Sequence, residues 1–267
     1  MNGTTAILVL SCDRYSDAWG PFFELFRRYW KDCPYPVYLG TNEQDFNFPG
    51  VKVIQSGPPH NWSDDTLSIL RQMKEDYVIV ILEDYFLQAK VDNEWLKRCL
   101  DFTAERNAPF MRIASFRRDH FPMYAYDVIK ENPHFGINRK DAMYRINLQA
   151  AIWDRQAFIE LIKPGESPWE FEVNGSVRSR EWKGECLGIT ESHSTDELAG
   201  PIPYLCTAIT RGTWMREAIA LCRKENIKLD LSVRPVESGF ALLRRKMYHA
   251  MPFWSRKYMD YVSGKIR

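Results

Sequence analysis

Two adjacent carboxylates, Glu83 and Asp84, close the apolar run Tyr77-Val78-Ile79-Val80-Ile81-Leu82, and Tyr85-Phe86-Leu87 follows them. A short run rich in β-branched residues and apolar on both faces has the pattern of a central strand in a buried, mostly parallel sheet. Open α/β sheets bind their ligands in the crevice beyond the carboxyl ends of the strands. Acids placed there are candidates to contact a divalent metal or a ribose. The alternative is two acids solvated where the strand emerges.

The elements around this strand must place it in a layered sheet. Ala6-Ile7-Leu8-Val9-Leu10 reads as a first strand, followed by the polar loop Ser11 to Asp17. Ser16 or Asp17 can cap a helix in which Phe22, Phe23, Phe26 and Trp30 recur at helical spacing. Val37-Tyr38-Leu39 and Val51 to Ile54 are the second and third strands. Ser63 caps a helix with Leu67, Leu70 and Met73 on one face, which leads into the acidic strand. Asp92 caps another helix carrying Trp95, Cys99 and Phe102, and Phe110 to Ala114 is a fifth strand. Strands alternating with amphipathic helices predict right-handed βαβ units and an α/β fold.

Farther along, Ser115 to Met143 is irregular, with Arg117, Arg118, His120 and several aromatics. Tyr144 to Trp153 alternates as a half-buried strand, with Asp154 capping a short helix. Leu205 to Ile209 is a late strand, and Trp214 to Glu225 a late helix.

The 267 residues, 45% hydrophobic and 14% aromatic, suffice for one large domain or a domain with an appendage. A net charge of +1 gives no overall field of the kind that marks a nucleic-acid binder. Six cysteines lack C-x-x-C or zinc spacing and read as reduced, mostly buried thiols. No apolar segment approaches the ~18 residues of a spanning helix, and the amino terminus has no signal-peptide pattern. The expected location is the cytoplasm.

Charge is uneven along the chain. From Arg244 to Arg267 seven Lys/Arg face only Asp260, a local +6. Leu243, Met247 and Met251 share a helical face there, and Trp254, Tyr258 and Tyr261 follow Pro252. Basic amphipathic helices with aromatic anchors lie on anionic membrane surfaces. The other arrangement packs the apolar face on the body and leaves the cations in water; the sequence leaves both open.

The Ser11-Cys12-Asp13-Arg14-Tyr15 loop, Leu82-Glu83-Asp84-Tyr85-Phe86 and Trp169-Glu170-Phe171-Glu172, in that order, resemble the nucleotide-sugar-dependent glycosyltransferases of the GT-A fold, of the bacterial surface-polysaccharide type. The resemblance covers roughly residues 4 to 215 and rests on the order of elements. It implies a GT-A-like, Rossmann-like sheet flanked by helices over residues 1–239, with a nucleotide-binding half (1–115) and an acceptor-binding half (116–239). A basic helical tail (240–267) follows.

The resemblance also implies roles. Asp13 and Arg14 would hold base, ribose or phosphate, with Asn42 and Arg71 as further donor-site candidates and Glu83 beside them. The family's last acid usually binds Mn²⁺ or Mg²⁺ bridging the diphosphate. In this chain that last position is Tyr85, so either Asp84 contacts the metal in a shifted register or cations such as Arg117, Arg118 or Arg211 replace it. Trp169 would offer a flat surface to a sugar ring, with Glu172 or Glu170 as the base of an inverting transfer. Only one of the two acids points into the site if the stretch is a helix.

The implied partners are a nucleotide-sugar donor and a glycan or lipid-linked acceptor, with membrane contact through the tail. A sugar nucleotidyltransferase and a non-catalytic glycan-binding scaffold are the rival readings. The first typically carries a glycine-rich basic loop after the first strand, absent from Leu10 to Arg14.

Overall fold

A computed structural model of the chain describes residues 3–114, 125–190 and 200–251. Arg117, Arg118, His120, His193 and residues 252–267 lie outside the described residues.

The unbroken hydrophobicity of the first and fourth strands has a direct cause. In β1 (Thr5–Leu10) and β4 (Tyr77–Leu82), Ile7, Val9, Ile79 and Ile81 enter one core. Ala6, Leu8, Val78 and Val80 enter a second core on the opposite face. With both faces covered by helices, the positions from Ala6 to Leu10 and from Val78 to Ile81 are all apolar and buried. The first core is closed by α1 (Ser16–Tyr29) and α3 (Asn93–Glu105), the second by α2 (Trp62–Gln72), α4 (Arg155–Leu161) and α5 (Pro168–Arg178). Phe22 and Phe23 on α1 are fully buried, each stabilising the layer by about 2 kcal/mol.

The other strands are β2 (Val37–Thr41), β3 (Val51–Gln55), β5 (Phe110–Arg112), β6 (Tyr126–Val128), β7 (Phe135–Asn138), β8 (Ala151–Asp154) and β9 (Cys186–Ile189). They form one nine-stranded sheet in the order β3-β2-β1-β4-β8-β5-β9-β7-β6. The first four strands are parallel throughout, as the βαβ reading requires. Beyond β4 the sheet is mixed: β8 is antiparallel to both β4 and β5, β9 is parallel to β5, and β7 and β6 run antiparallel. The fold class is α/β. Where β4 meets β8 the carboxyl end of one strand lies beside the amino end of the other, so residues 83–84 and 147–150 share one end of the sheet.

Local expectations meet mixed outcomes. Asp92 and Asp154 cap α3 and α4, accepting from Trp95 N (2.9 Å) and Ala157 N (2.8 Å). The cap of α2 is Asn61 rather than Ser63, because Asn61 Oδ1 takes the Asp64 N–H while Ser63 is buried against the loop at Glu166. No side chain caps α1; a 3-10 turn at Asp13–Tyr15 feeds it, and Asp17 is drawn away to Arg234. Of Tyr144 to Trp153 only Ala151–Trp153 are strand, and they are buried on both faces: Ala151 and Trp153 enter the second core and Ile152 the first.

The expected strand at Leu205–Ile209 instead runs as an extended strap beside residues 84–88, with Leu205 N donating to Phe86 O (2.8 Å) and Ala208 N to Asp84 O (2.8 Å). It continues into a small hairpin, β10 (Ile209–Thr210) and β11 (Thr213–Trp214), whose two-residue turn Arg211-Gly212 has positive φ at both positions. After α6 (Arg216–Lys224) an irregular stretch leads to α7 (Gly239–Ala250), capped by Ser238 Oγ. No helix among the described residues is long and apolar enough to cross a membrane.

Candidate active site

The end of β4 delivers Glu83 and Asp84 to a sheltered spot between the β1–α1 loop and the strap. Glu83 is 7% exposed. Burial pushes its proton affinity well up, and repulsion from Asp84 adds to this; a hydrogen bond from Ser11 and the nearby Arg234 charge work the other way. Asp84 is pushed up to about 6, again by burial first, against the bond it accepts from Thr207 Oγ1 and the field of Arg234. Two adjacent carboxylates, Glu83 buried and Asp84 half-buried, with one cation in their field resist double ionisation. A divalent cation held there would relieve that conflict.

Arg234 is the group that sequence reasoning missed. Asp17 pairs with it bidentately at 7% side-chain exposure, its Nη2 also donates to Arg14 O (2.9 Å), and its guanidinium lies over the rings of Tyr15 (4.7 Å) and Trp214 (5.6 Å). These contacts fix a planar cation beside the acids. In the sequence it stands in an irregular stretch more than two hundred residues from its partner Asp17, and no local pattern marks it.

The donor set admits a divalent ion of limited kind. Among the described residues no cluster of three or more His, Cys, Asp or Glu can hold a metal on its own. Asp84 Oδ1, however, is buried with no hydrogen-bond partner, while Oδ2 is taken by Thr207. Mg²⁺-type sites commonly use one or two carboxylates and complete their shell with water and substrate phosphates. The residues present fit that arrangement and do not fit an all-protein cage.

Tyr85, at the third position of the acidic run, turns into the core. Its ring stacks on Tyr204 (4.6 Å, 16°) and its hydroxyl donates to Leu148 O (3.3 Å). Gln149 Oε1 accepts from Tyr204 OH (2.7 Å), which ties the strap to the 147–150 segment. On that segment Leu148 N donates to Glu172 Oε1 (2.8 Å). Glu172 therefore lies on the same end of the sheet as the acid pair, reached through Tyr85 and Leu148. Burial raises its pKa, opposed by the Leu148 N–H.

The segment holding Glu172 is helical, so Glu170 and Glu172 diverge. Glu170 takes Ser167 N (2.9 Å) on its Oε2, while its own N–H donates to Ser167 Oγ (3.3 Å), a reciprocal box that starts α5. Glu170 is exposed, its pKa is lowered by the Ser167 hydrogen bonds, and it serves the helix start. Trp169 is 72% exposed and lies three residues before Glu172, on the same helical face. Ser167→Ala should lower stability by about 1 kcal/mol, read by denaturant unfolding, with ligand binding at the acid pair unchanged.

Other expected donor contacts are redirected. Asp13 accepts from the backbone N–H groups of Asn42 (2.9 Å), Glu43 (3.1 Å) and Gln44 (3.1 Å), tying the loop after β2 to the loop after β1. Asn42 is buried and returns the bond, accepting from Asp13 N (3.1 Å) while donating to Asp65 (2.8 Å) and Ser56 (3.2 Å). Both join the loop after β1 to the loop after β2 through these bonds. Arg71 is exposed in the last turn of α2, whose buried face is formed by Ser63, Thr66, Leu67, Ile69 and Leu70. Arg14 is exposed beside the site, and Arg211 is exposed at the hairpin tip beyond the strap.

A cavity of about 570 Å³ occurs elsewhere, between the loop after β7 and the loop before β9, lined in part by Asn138, Lys140, Arg145 and Trp182. Because β9 is parallel to β5, which runs with β4, that cavity sits at the opposite end of the sheet from the acids.

No family model and no curated protein matches the chain. Among solved structures it is similar to a UTP-bound UGPase from Acinetobacter baumannii, at 12% identity over 70% of this chain and 85% of that one, with a TM-score of 0.48. A UDP-glucose pyrophosphorylase complexed with UDP-glucose matches at 9% identity over 70% and 90%, TM-score 0.49. S. aureus TarS 1-349 matches at 12% identity over 75% and 59%, TM-score 0.46.

Proposed function

We propose that the chain is a transferase of nucleotide sugars, moving a sugar from a nucleoside-diphosphate donor to a hydroxyl of a glycan acceptor. The observation that carries this is the placement of two kinds of acid at one end of the sheet: the pair of buried Glu83 and half-buried Asp84 beside Arg234, and the separate, half-buried Glu172 behind Trp169. Asp84 Oδ1 would hold a divalent ion, which when bound neutralises charge on the departing diphosphate. Arg234 lends positive field to the same region.

Glu172 takes the acceptor proton as the acceptor oxygen bonds to the anomeric carbon. The bond from that carbon to the phosphate oxygen breaks, and its electron pair leaves on the nucleoside diphosphate. A proton affinity raised above that of an ordinary carboxylate suits this base, since an ideal catalytic pKa lies nearer the working pH. Trp169 presents an apolar face to the acceptor ring.

Nucleotidyl transfer is the second reading. Against it stands the β1–α1 connection, a 3-10 turn without glycine whose Asp13 is engaged by the neighbouring loop. The test is thermal unfolding against nucleoside diphosphates, triphosphates and their sugars, each with Mn²⁺ and with EDTA. A ligand at one hundred times its dissociation constant adds about 2.7 kcal/mol, a shift of roughly 5 °C or more. The expected result is a metal-dependent shift with one nucleoside diphosphate and its sugar. A response confined to triphosphates supports nucleotidyl transfer, and no response to any nucleotide rejects both.

A further inference from the structure

The described part of α7 has its amphipathic pattern turned outward. Phe240, Leu243 and Met247 recur at i, i+3 and i+7 and are 77%, 57% and 57% exposed. A helix belonging only to a soluble body buries such a stripe. Here the contact with the body is polar instead: Arg245 donates through Nε and Nη2 to Glu237 (2.8 and 2.9 Å) and through Nη2 to both oxygens of Glu217 on α6 (2.8 Å each). Glu237 is itself buried and anchored, its N–H donating to Trp214 O (2.9 Å).

Two exposed cations, Arg244 and Lys246, accompany the stripe. Exposed apolar residues also lead into the helix, Val233 and Val236 among them. Beyond the described residues the sequence continues with Trp254, Tyr258 and Tyr261 among Arg256, Lys257, Lys265 and Arg267.

We propose that this face of α7 docks on a lipid bilayer carrying anionic headgroups. Apolar side chains flanked by cations match the depth profile of such a surface, hydrocarbon below and phosphate around it. A second copy of the chain fits less well, because a two-fold contact across this stripe sets Arg244 and Lys246 against the same charges. The clamp fixes the helix to the stretch that carries Arg234, so a docked chain holds the acid pair near the membrane surface. That the acceptor is then lipid-linked rests on the transferase reading; the docking itself does not.

The test is flotation of the full chain with vesicles of phosphatidylcholine alone and of phosphatidylcholine mixed with phosphatidylglycerol. The expected result is binding to the anionic vesicles only. The variant Phe240→Ser/Leu243→Ser/Met247→Ser should bind about tenfold less, and Arg244→Glu/Lys246→Glu should lose the preference for phosphatidylglycerol. Since all five side chains are exposed, both variants should keep the wild-type melting temperature and the same response to nucleoside diphosphates. Undiminished flotation of the triple variant, or no flotation of the wild type, overturns the proposal. So does a solution dimer that the triple variant dissolves, which assigns the face to a second copy.

Discussion

On the transferase reading, Glu172→Gln should lower transfer activity by about 10²- to 10⁴-fold in kcat while leaving binding of the nucleoside diphosphate intact. The substitution is close to isosteric, and the glutamine carbonyl can still accept from Leu148 N, so the contact that seats the side chain survives. What is lost is the capacity to take a proton. The pH profile of the wild type should carry a second signature: because burial raises the Glu172 pKa, the acidic limb of kcat should lie above the range of an exposed glutamate. A variant with full activity, or a wild-type profile flat down to the ordinary carboxylate range, would falsify the assignment of Glu172 as base. Loss of nucleotide binding together with activity would instead mark it as a scaffold residue.

Asp84→Asn should make the ligand-free protein more stable at neutral pH, by about 1 to 3 kcal/mol. The folded pKa of Asp84, about 6, exceeds its ordinary value of 3.8. Below about pH 4 the carboxyl is protonated in both folded and unfolded chains, and the asparagine variant has no advantage. As pH rises towards 6, ionisation is favoured in the unfolded chain first, so wild-type stability falls relative to the variant; above 6 the difference is constant. Urea unfolding of both proteins at several pH values reads the curve directly. Lowered-pKa acids elsewhere, such as Glu166 and Glu237, slope the other way but cancel in the comparison. The same variant should lose the Mn²⁺-dependent part of the nucleotide-induced thermal shift. A stability difference that does not change with pH would show that Asp84 is not a buried charge.

The parts of this fold that were legible in the sequence are those governed by local pattern. The strands β1 and β4 announce themselves through doubly apolar runs, the caps of α3 and α4 through single aspartates, and the acid pair through its position after β4. The mixed half was harder to read. Residues 144–150 alternate in polarity like a strand, yet Asn147 is buried among them and Leu148 spends its backbone on Glu172, so tertiary contacts override the period. The site was legible in the same proportion. Glu83, Asp84 and Glu172 follow from position and chemistry. Glu170 was separated from Glu172 only by the helix that its own capping box starts. Arg234 depends on an ion pair closed across more than two hundred residues, which local spacing does not encode.

Tyr85 makes the two-acid arrangement hard to reverse. Its ring is a pin through three segments: the end of β4, the strap at Tyr204 and the 147–150 turn at Leu148. An aspartate at this position would empty the volume of a phenol ring, unstack Tyr204 and bury a third negative charge beside two that already oppose each other. Tyr85→Asp is therefore not a neutral substitution; the strap and the turn would have to repack to accept it.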